Sequence, residues 1–334
     1  MPSATAESSG TSSGEPVTTH GSGSDDDGPP NLDVAGASAD SGGAVGCTKV
    51  DFLFVIDNSG SMAEEQANLI ASFPAFVDAI EASVAVDFHI AIVDTDASFA
   101  VEQCDEICPA NPEDTCVACA DEAEEVCTYL PCDSFPPVAE CLDTLGSSRV
   151  TDPVGGDCGS VGAQRFFTDA QTDLSGTFAC AARVGTGASG ERPADAMTEA
   201  LGAQAGDDGC NAGFLRDDAL LVVTMITDED DSDTDDGVVS TGDPEQWHQR
   251  VVAAKNGDED AVVFLGLLSD VDLEGGTCPD VDPAVAAPAP RLRALAESFA
   301  RGTWGSVCSG DYGPFFADSI AIIDTACTDF EPAG

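Results

Sequence analysis

The chain has 334 residues, 43% of them hydrophobic, enough to bury a sizeable core in one large domain or two ordinary ones. Eleven basic residues against 62 acidic ones give a formal net charge of -51. Such a surface repels nucleic acid and anionic membranes, which excludes phosphate-backbone binding as a function, and it attracts cations.

Residues 1–46 are mostly Ser, Gly, Thr, Asp and Pro. Such a segment buries too little apolar surface to offset its ordering entropy, so it reads as a disordered stalk. "KVDFLFVID", ending at Asp57, is a continuous apolar run closed by an acid, the pattern of a buried parallel strand. Beyond it Leu69, Ile70, Phe73, Phe76, Val77 and Ile80 fall on one helical face, and Ser61 with Glu64 has the spacing of a capping box. A second strand is predicted from Val86 to Asp96.

Residues 97–180 lose this regularity and hold most of the cysteines, which predicts an insertion stapled by disulfides. The chain has 14 cysteines, eight of them between Cys104 and Cys158. That density points to an oxidising compartment. "CVAC" (Cys116, Cys119) has no histidine nearby to favour a zinc site. The opening residues have no apolar core of signal-peptide type, so the cysteines predict an export signal upstream of Met1. No apolar run approaches the roughly 20 residues of a spanning helix.

Strand and helix patterns then alternate. "ERPADAMTEALGAQ" reads as a helix, "DALLVVTMITDED" as a strand from Ala219 to Asp228, and "PEQWHQRVVAAKNG" as a helix. "DAVVFLGLLSD" reads as a strand from Ala261, "PRLRALAESFARG" as a helix, "TWGSV" as an edge strand and "FFADSIAIIDTACTDF" as the last helix. The alternation predicts an α/β fold, a doubly wound, mostly parallel sheet flanked by helices, over residues 47–330.

In such sheets ligands bind at the carboxyl ends of the strands. Asp57 ends the first strand, and Ser59 and Ser61 lie just beyond it. One carboxylate and two hydroxyls fill part of the six-oxygen shell that Mg²⁺ requires and leave room for a ligand. Asp228 ends the "LLVVTMIT" strand. Were the two strands neighbours, both carboxylates would reach one edge, where a divalent cation relieves their repulsion. "DEDDSDTDDG", residues 228–237, lacks the order of an EF-hand and otherwise reads as a solvated acidic loop.

"DNSGS" after an apolar strand resembles the Asp-x-Ser-x-Ser signature of the von Willebrand factor type A domain, here of a bacterial exported or surface type. "MITDED" is similar to that family's later strand with its terminal acid. The resemblance implies a metal-ion-dependent adhesion site. Its two serines bind Mg²⁺ (or Mn²⁺ or Ca²⁺) directly, and its acids bind directly or through water. A threonine on a middle loop, just before a helix, completes that pattern in the family. Here the loop is "RVGTGASGERPADAM", and the candidates in order are Glu191, Ser189 and Thr186. The implied function is non-enzymatic: binding a protein that supplies an Asp or Glu to the metal. The implied location is extracellular or at the cell surface, lipid-anchored or periplasmic.

Two rival readings remain. "IVDTDAS" resembles the nucleophile loop of haloacid-dehalogenase-type phosphatases, with Asp94 as nucleophile, Asp96 as acid/base, the "TDEDD" carboxylates on Mg²⁺ and Lys255 steadying the phosphate. A purely structural surface domain needs no metal at all; "DNSGS" would then be a helix cap. His89 reads as a core histidine, and Trp247 and Trp304 as packing residues.

Overall fold

The computed structural model describes residues 47–83, 87–96, 115–121, 126–131, 141, 144–153, 155–187, 190–231, 239–278 and 286–330. The expected stalk, residues 1–46, lies outside them. Strand β1, Lys49–Ile56, is buried along almost its whole length. Its apolar side chains alternate between two cores: Phe52, Phe54 and Ile56 join one, Leu53 and Val55 the other. A strand covered on both faces needs the unbroken apolar run seen in the sequence.

Helix α1, Ala63–Ser83, follows and packs Leu69, Phe73 and Phe76 into the first core. Strand β2, Asp87–Asp94, pairs with β1 in parallel. Strands β3, Thr115–Asp121, and β4, Val126–Pro131, form a separate antiparallel pair. Strand β5, Phe167–Thr168, and helix α2, Leu174–Ala181, come next, followed by helix α3, Pro193–Leu201. Strand β6, Leu220–Thr227, helix α4, Pro244–Ala254, and strand β7, Val262–Leu268, continue the alternation. Helix α5, Pro290–Ser298, strand β8, Gly302–Ser306, and helix α6, Gly313–Asp329, complete it.

The main sheet has the order β5-β2-β1-β6-β7-β8. All its pairings are parallel except that of β5, which runs antiparallel to β2. The fold is therefore the expected doubly wound α/β sheet. Its strand order reverses between β1 and β6, and at such a switch point the loops leave in opposite directions and open a crevice.

The boundary of the irregular region differs from expectation. Residues 97–180 read as an insertion, yet their last third belongs to the main fold. β5 extends the sheet, and Phe178 of α2 stacks on Phe73 of α1. Upstream, Ser148 and Arg149 are buried beside β2: the Ser148 hydroxyl accepts from Ile92 N at 3.1 Å, and Arg149 N donates to the Ile92 carbonyl at 2.7 Å. A two-residue strand and an eight-residue helix carry too little periodicity to read in sequence.

Four disulfides are described. Cys47–Cys327 joins the two ends of the domain, Cys141–Cys210 and Cys158–Cys180 tie the irregular region, and Cys278–Cys308 joins the loops after β7 and β8. No cysteine among the described residues is free. Among the described residues no helix is long and apolar enough to cross a membrane.

Candidate metal centre

The register of β1 on β6 sets Ile56 beside Ile226, and Asp57 N continues the ladder to the Ile226 carbonyl at 3.0 Å. Asp57 therefore leaves the sheet next to Thr227, with Asp228 one residue further on. Asp57 is fully buried. Its Oδ1 accepts from Ser59 N at 2.8 Å and its Oδ2 accepts from the Thr227 hydroxyl. Ser59 Oγ and Ser61 Oγ stand 3.2 Å apart. Ser61, expected to cap α1, instead turns its hydroxyl toward Ser59 and the neighbourhood of Asp228.

The middle loop is pinned to this edge at both ends. The buried Gln66 amide donates to the Asp57 carbonyl at 3.0 Å and to the Gly185 carbonyl at 2.8 Å. A Cβ built on Gly60 would sit 3.7 Å from the Thr186 carbonyl, so the two loops pass close together. Further on, Arg192 N donates to the Thr95 carbonyl at 2.6 Å. Of the three middle-loop candidates, Glu191 lies within the field of the Asp57 charge, Thr186 brings its backbone beside Gly60, and Ser189 lies outside the described residues.

Electrostatics at this edge are one-sided. Burial raises the Asp57 carboxyl to about 6, opposed by the bonds from Thr227 and Ser59. Burial, then the charge of Asp57, raise Asp228 to about 8. The same two causes, in that order, raise Glu191 to about 8. Burial also raises Glu65 and Tyr312, the latter with a smaller push from the charges of Glu65 and Asp228. No lysine or arginine is among the leading influences on Asp57, Asp228 or Glu191.

Asp228 is 1% exposed, and neither of its carboxylate oxygens makes a well-formed hydrogen bond, since the Ser61 hydroxyl only lies near enough to favour the charge. Glu191 Oε1 and Glu65 Oε2 are also buried without a hydrogen-bond partner. Buried acceptors are normally satisfied. A hard divalent cation with its waters fits this oxygen-only set. No three of these carboxylates have oxygens all within 4.8 Å of one another, so such an ion would reach some of them through water. The described group that does meet that distance, Asp270 with Cys278 and Cys308, is no ion site. Its sulfurs are bonded to each other, and Asp270 accepts from Thr277 N, Cys278 N and the Ser306 hydroxyl.

Of the acidic loop expected to be solvated, residues 232–237 lie outside the described residues, and the described start, 228–231, is less solvated than expected. Asp231 is 1% exposed and accepts from Ala194 N at 2.9 Å and Ser240 N at 2.8 Å. Asp230 accepts from Arg291 N and Leu292 N. The two acids cap the N-termini of α3 and α5 from another part of the chain. A signal was present: both helices open on proline after a residue, Arg192 or Ala289, that offers no side-chain cap.

Of the phosphatase residues, Asp94 and Asp96 reach the same edge as Asp228, but Lys255 does not. Asp94 is ion-paired with the buried Arg149, and Asp96 accepts from the Asn58 amide at 2.9 Å. Lys255 is 2% exposed and donates to the carbonyls of Arg216 and Ala219, which lie ahead of β6 at the opposite edge of the sheet. His89 Nδ1–H donates to the Phe214 carbonyl at 2.8 Å, and Trp247 is fully buried; both are packing residues as read.

Fold and edge together define a doubly wound α/β domain with a cluster of buried side-chain oxygens at its switch point. Among solved structures the chain is similar to a von Willebrand factor type A protein from Catenulispora acidiphila, at 12% identity and a TM-score of 0.38. The match covers 84% of this chain and 43% of that one, so this chain spans less than half its length. No protein-family model matches the sequence, and no curated protein does.

Proposed function

We propose that this protein is a metal-dependent protein-binding module in which Asp57, Ser59, Ser61 and Asp228 hold a Mg²⁺ ion, with Mn²⁺ or Ca²⁺ as substitutes. The observation that carries this reading is Asp228: a buried carboxylate without a well-formed hydrogen bond, beside a second one, with no lysine or arginine among the leading influences on either. Bound there, the ion would act as a Lewis acid for an Asp or Glu of a partner protein. Two neutral serines leave it electrophilic enough to prefer an anion. The acidity of the whole chain opposes an acidic partner, so that partner brings basic groups around its contact carboxylate. The disulfides fit an extracellular or cell-surface location.

Metal titration followed by melting temperature tests the reading. At 100 times the dissociation constant, ligand linkage adds about 2.7 kcal/mol, or roughly 5–10 °C for a domain of this size. Asp57→Ala, or Ser59→Ala with Ser61→Ala, should abolish the shift. An unchanged Tm for the unsubstituted protein in Mg²⁺, Mn²⁺ and Ca²⁺ would favour the purely structural surface domain. Turnover of an aryl phosphate would favour the phosphatase, against which the Arg149–Asp94 pair and the distant Lys255 already count.

A further inference from the structure

We infer that Glu191 supplies an internal carboxylate to this centre, which a partner's carboxylate has to replace rather than join; the inference rests on the metal-binding reading above. Glu191 is not on a free loop. Six residues ahead of it Gly185 is tied to Gln66, and one residue after it Arg192 is tied to Thr95 before Pro193 opens α3. Thr95 in turn donates its hydroxyl to the Asn58 amide oxygen at 3.0 Å, so the Glu191 backbone is fixed to the same loop that carries Ser59 and Ser61. Its Oε1 is buried without a hydrogen-bond partner, and the charge it feels most is that of Asp57, followed by Glu229 and Asp96. Such a carboxyl either keeps its proton or, once ionised among like charges, calls for a cation.

Charge count then decides the mode of binding. Asp57 and Asp228 balance a divalent ion, and Glu191 makes the centre net negative. Glu229 and Glu65 add to that field at Asp228. Another anion is repelled unless one carboxylate leaves. Glu191 is the one that can, because Asp57 is held by Thr227 and Ser59 and Asp228 sits directly on the end of β6.

Mn²⁺ serves as the probe, with water-proton relaxation reporting the waters on the bound ion. The full chain, Glu191→Gln and Glu191→Ala are each titrated with Mn²⁺ and then with acetate, with melting curves to establish folding. Both variants should bind Mn²⁺ at least about tenfold more weakly, because ligand charge sets affinity. They should show higher relaxivity per bound ion, and acetate should lower it at concentrations that leave the unsubstituted protein unchanged. Equal affinity and relaxivity in all three, with Mn²⁺ still bound, would overturn the inference and leave the metal site standing. Failure of the unsubstituted chain to bind Mn²⁺ would remove both.

Discussion

Burial and like charge act together on Asp228, Asp57 and Glu191, and the consequence is measurable as a pH dependence. Each of these acids holds its proton to a higher pH when folded than the ordinary carboxyl range near about 4. In the folded chain they bind more protons than in the unfolded one, so they favour folding at low pH. That contribution is lost as pH rises through about 6 for Asp57 and about 8 for the other two. In chelator, Tm should therefore fall between about pH 5 and about pH 8, and Mg²⁺ should restore more stability at the upper end. Asp228→Asn should flatten the slope, although Asp51, also raised to about 6 by burial, leaves some of it in place. A Tm in chelator that climbs over this window would contradict the account. Asp57, Ser59, Ser61 and Asp228 were legible because strand end, spacing and a second acidic strand end coincide. The protonation states were not, because they depend on which charges the fold gathers from five separate segments.

At the scale of elements, α3 and α5 borrow their caps. Asp231 serves α3 and Asp230 serves α5, both from the loop that β6 projects past the sheet. The same loop thus carries a candidate ligand and fixes the start of two helices, one of which follows directly on Glu191. Asp231→Ala should cost about 1–2 kcal/mol, read as a shift of the urea midpoint. Asp207→Ala, on an exposed turn, should stay within about 0.5 kcal/mol. Equal midpoints for the two variants would show that the cap contributes nothing. Strands β1, β6 and β7 and helices α1 and α4 could be read from periodicity. β5 and α2 could not: their place is set by β2 and Phe73, partners far away in sequence.

For the whole molecule, the Cys47–Cys327 disulfide closes a loop spanning 280 residues and fastens the lead-in to β1 to the end of α6. Removing so long a closure from the unfolded state costs about 5 kcal/mol in the chain-entropy description. Cys47→Ser with Cys327→Ser should accordingly lower Tm by roughly 10 °C or more. A change of less than about 2 °C would mean that the α6 docking surface suffices without the bond. The net charge of -51 acts at the same scale, since like charges spread over the surface oppose compaction and make cross-links more useful.

Composition and local pattern by themselves determined the class of fold, the sites where strands end in acids, and the expectation of disulfides. Those properties are carried by neighbouring residues, through burial of apolar runs and through spacing along the chain. Only the tertiary structure decided that β1 and β6 are adjacent, that Glu191 shares a field with Asp57, and that Arg149 neutralises Asp94. Pairing of distant charges follows from sheet order and loop path, and the free energy that selects among those arrangements is spread over the two cores rather than written at the charged residues.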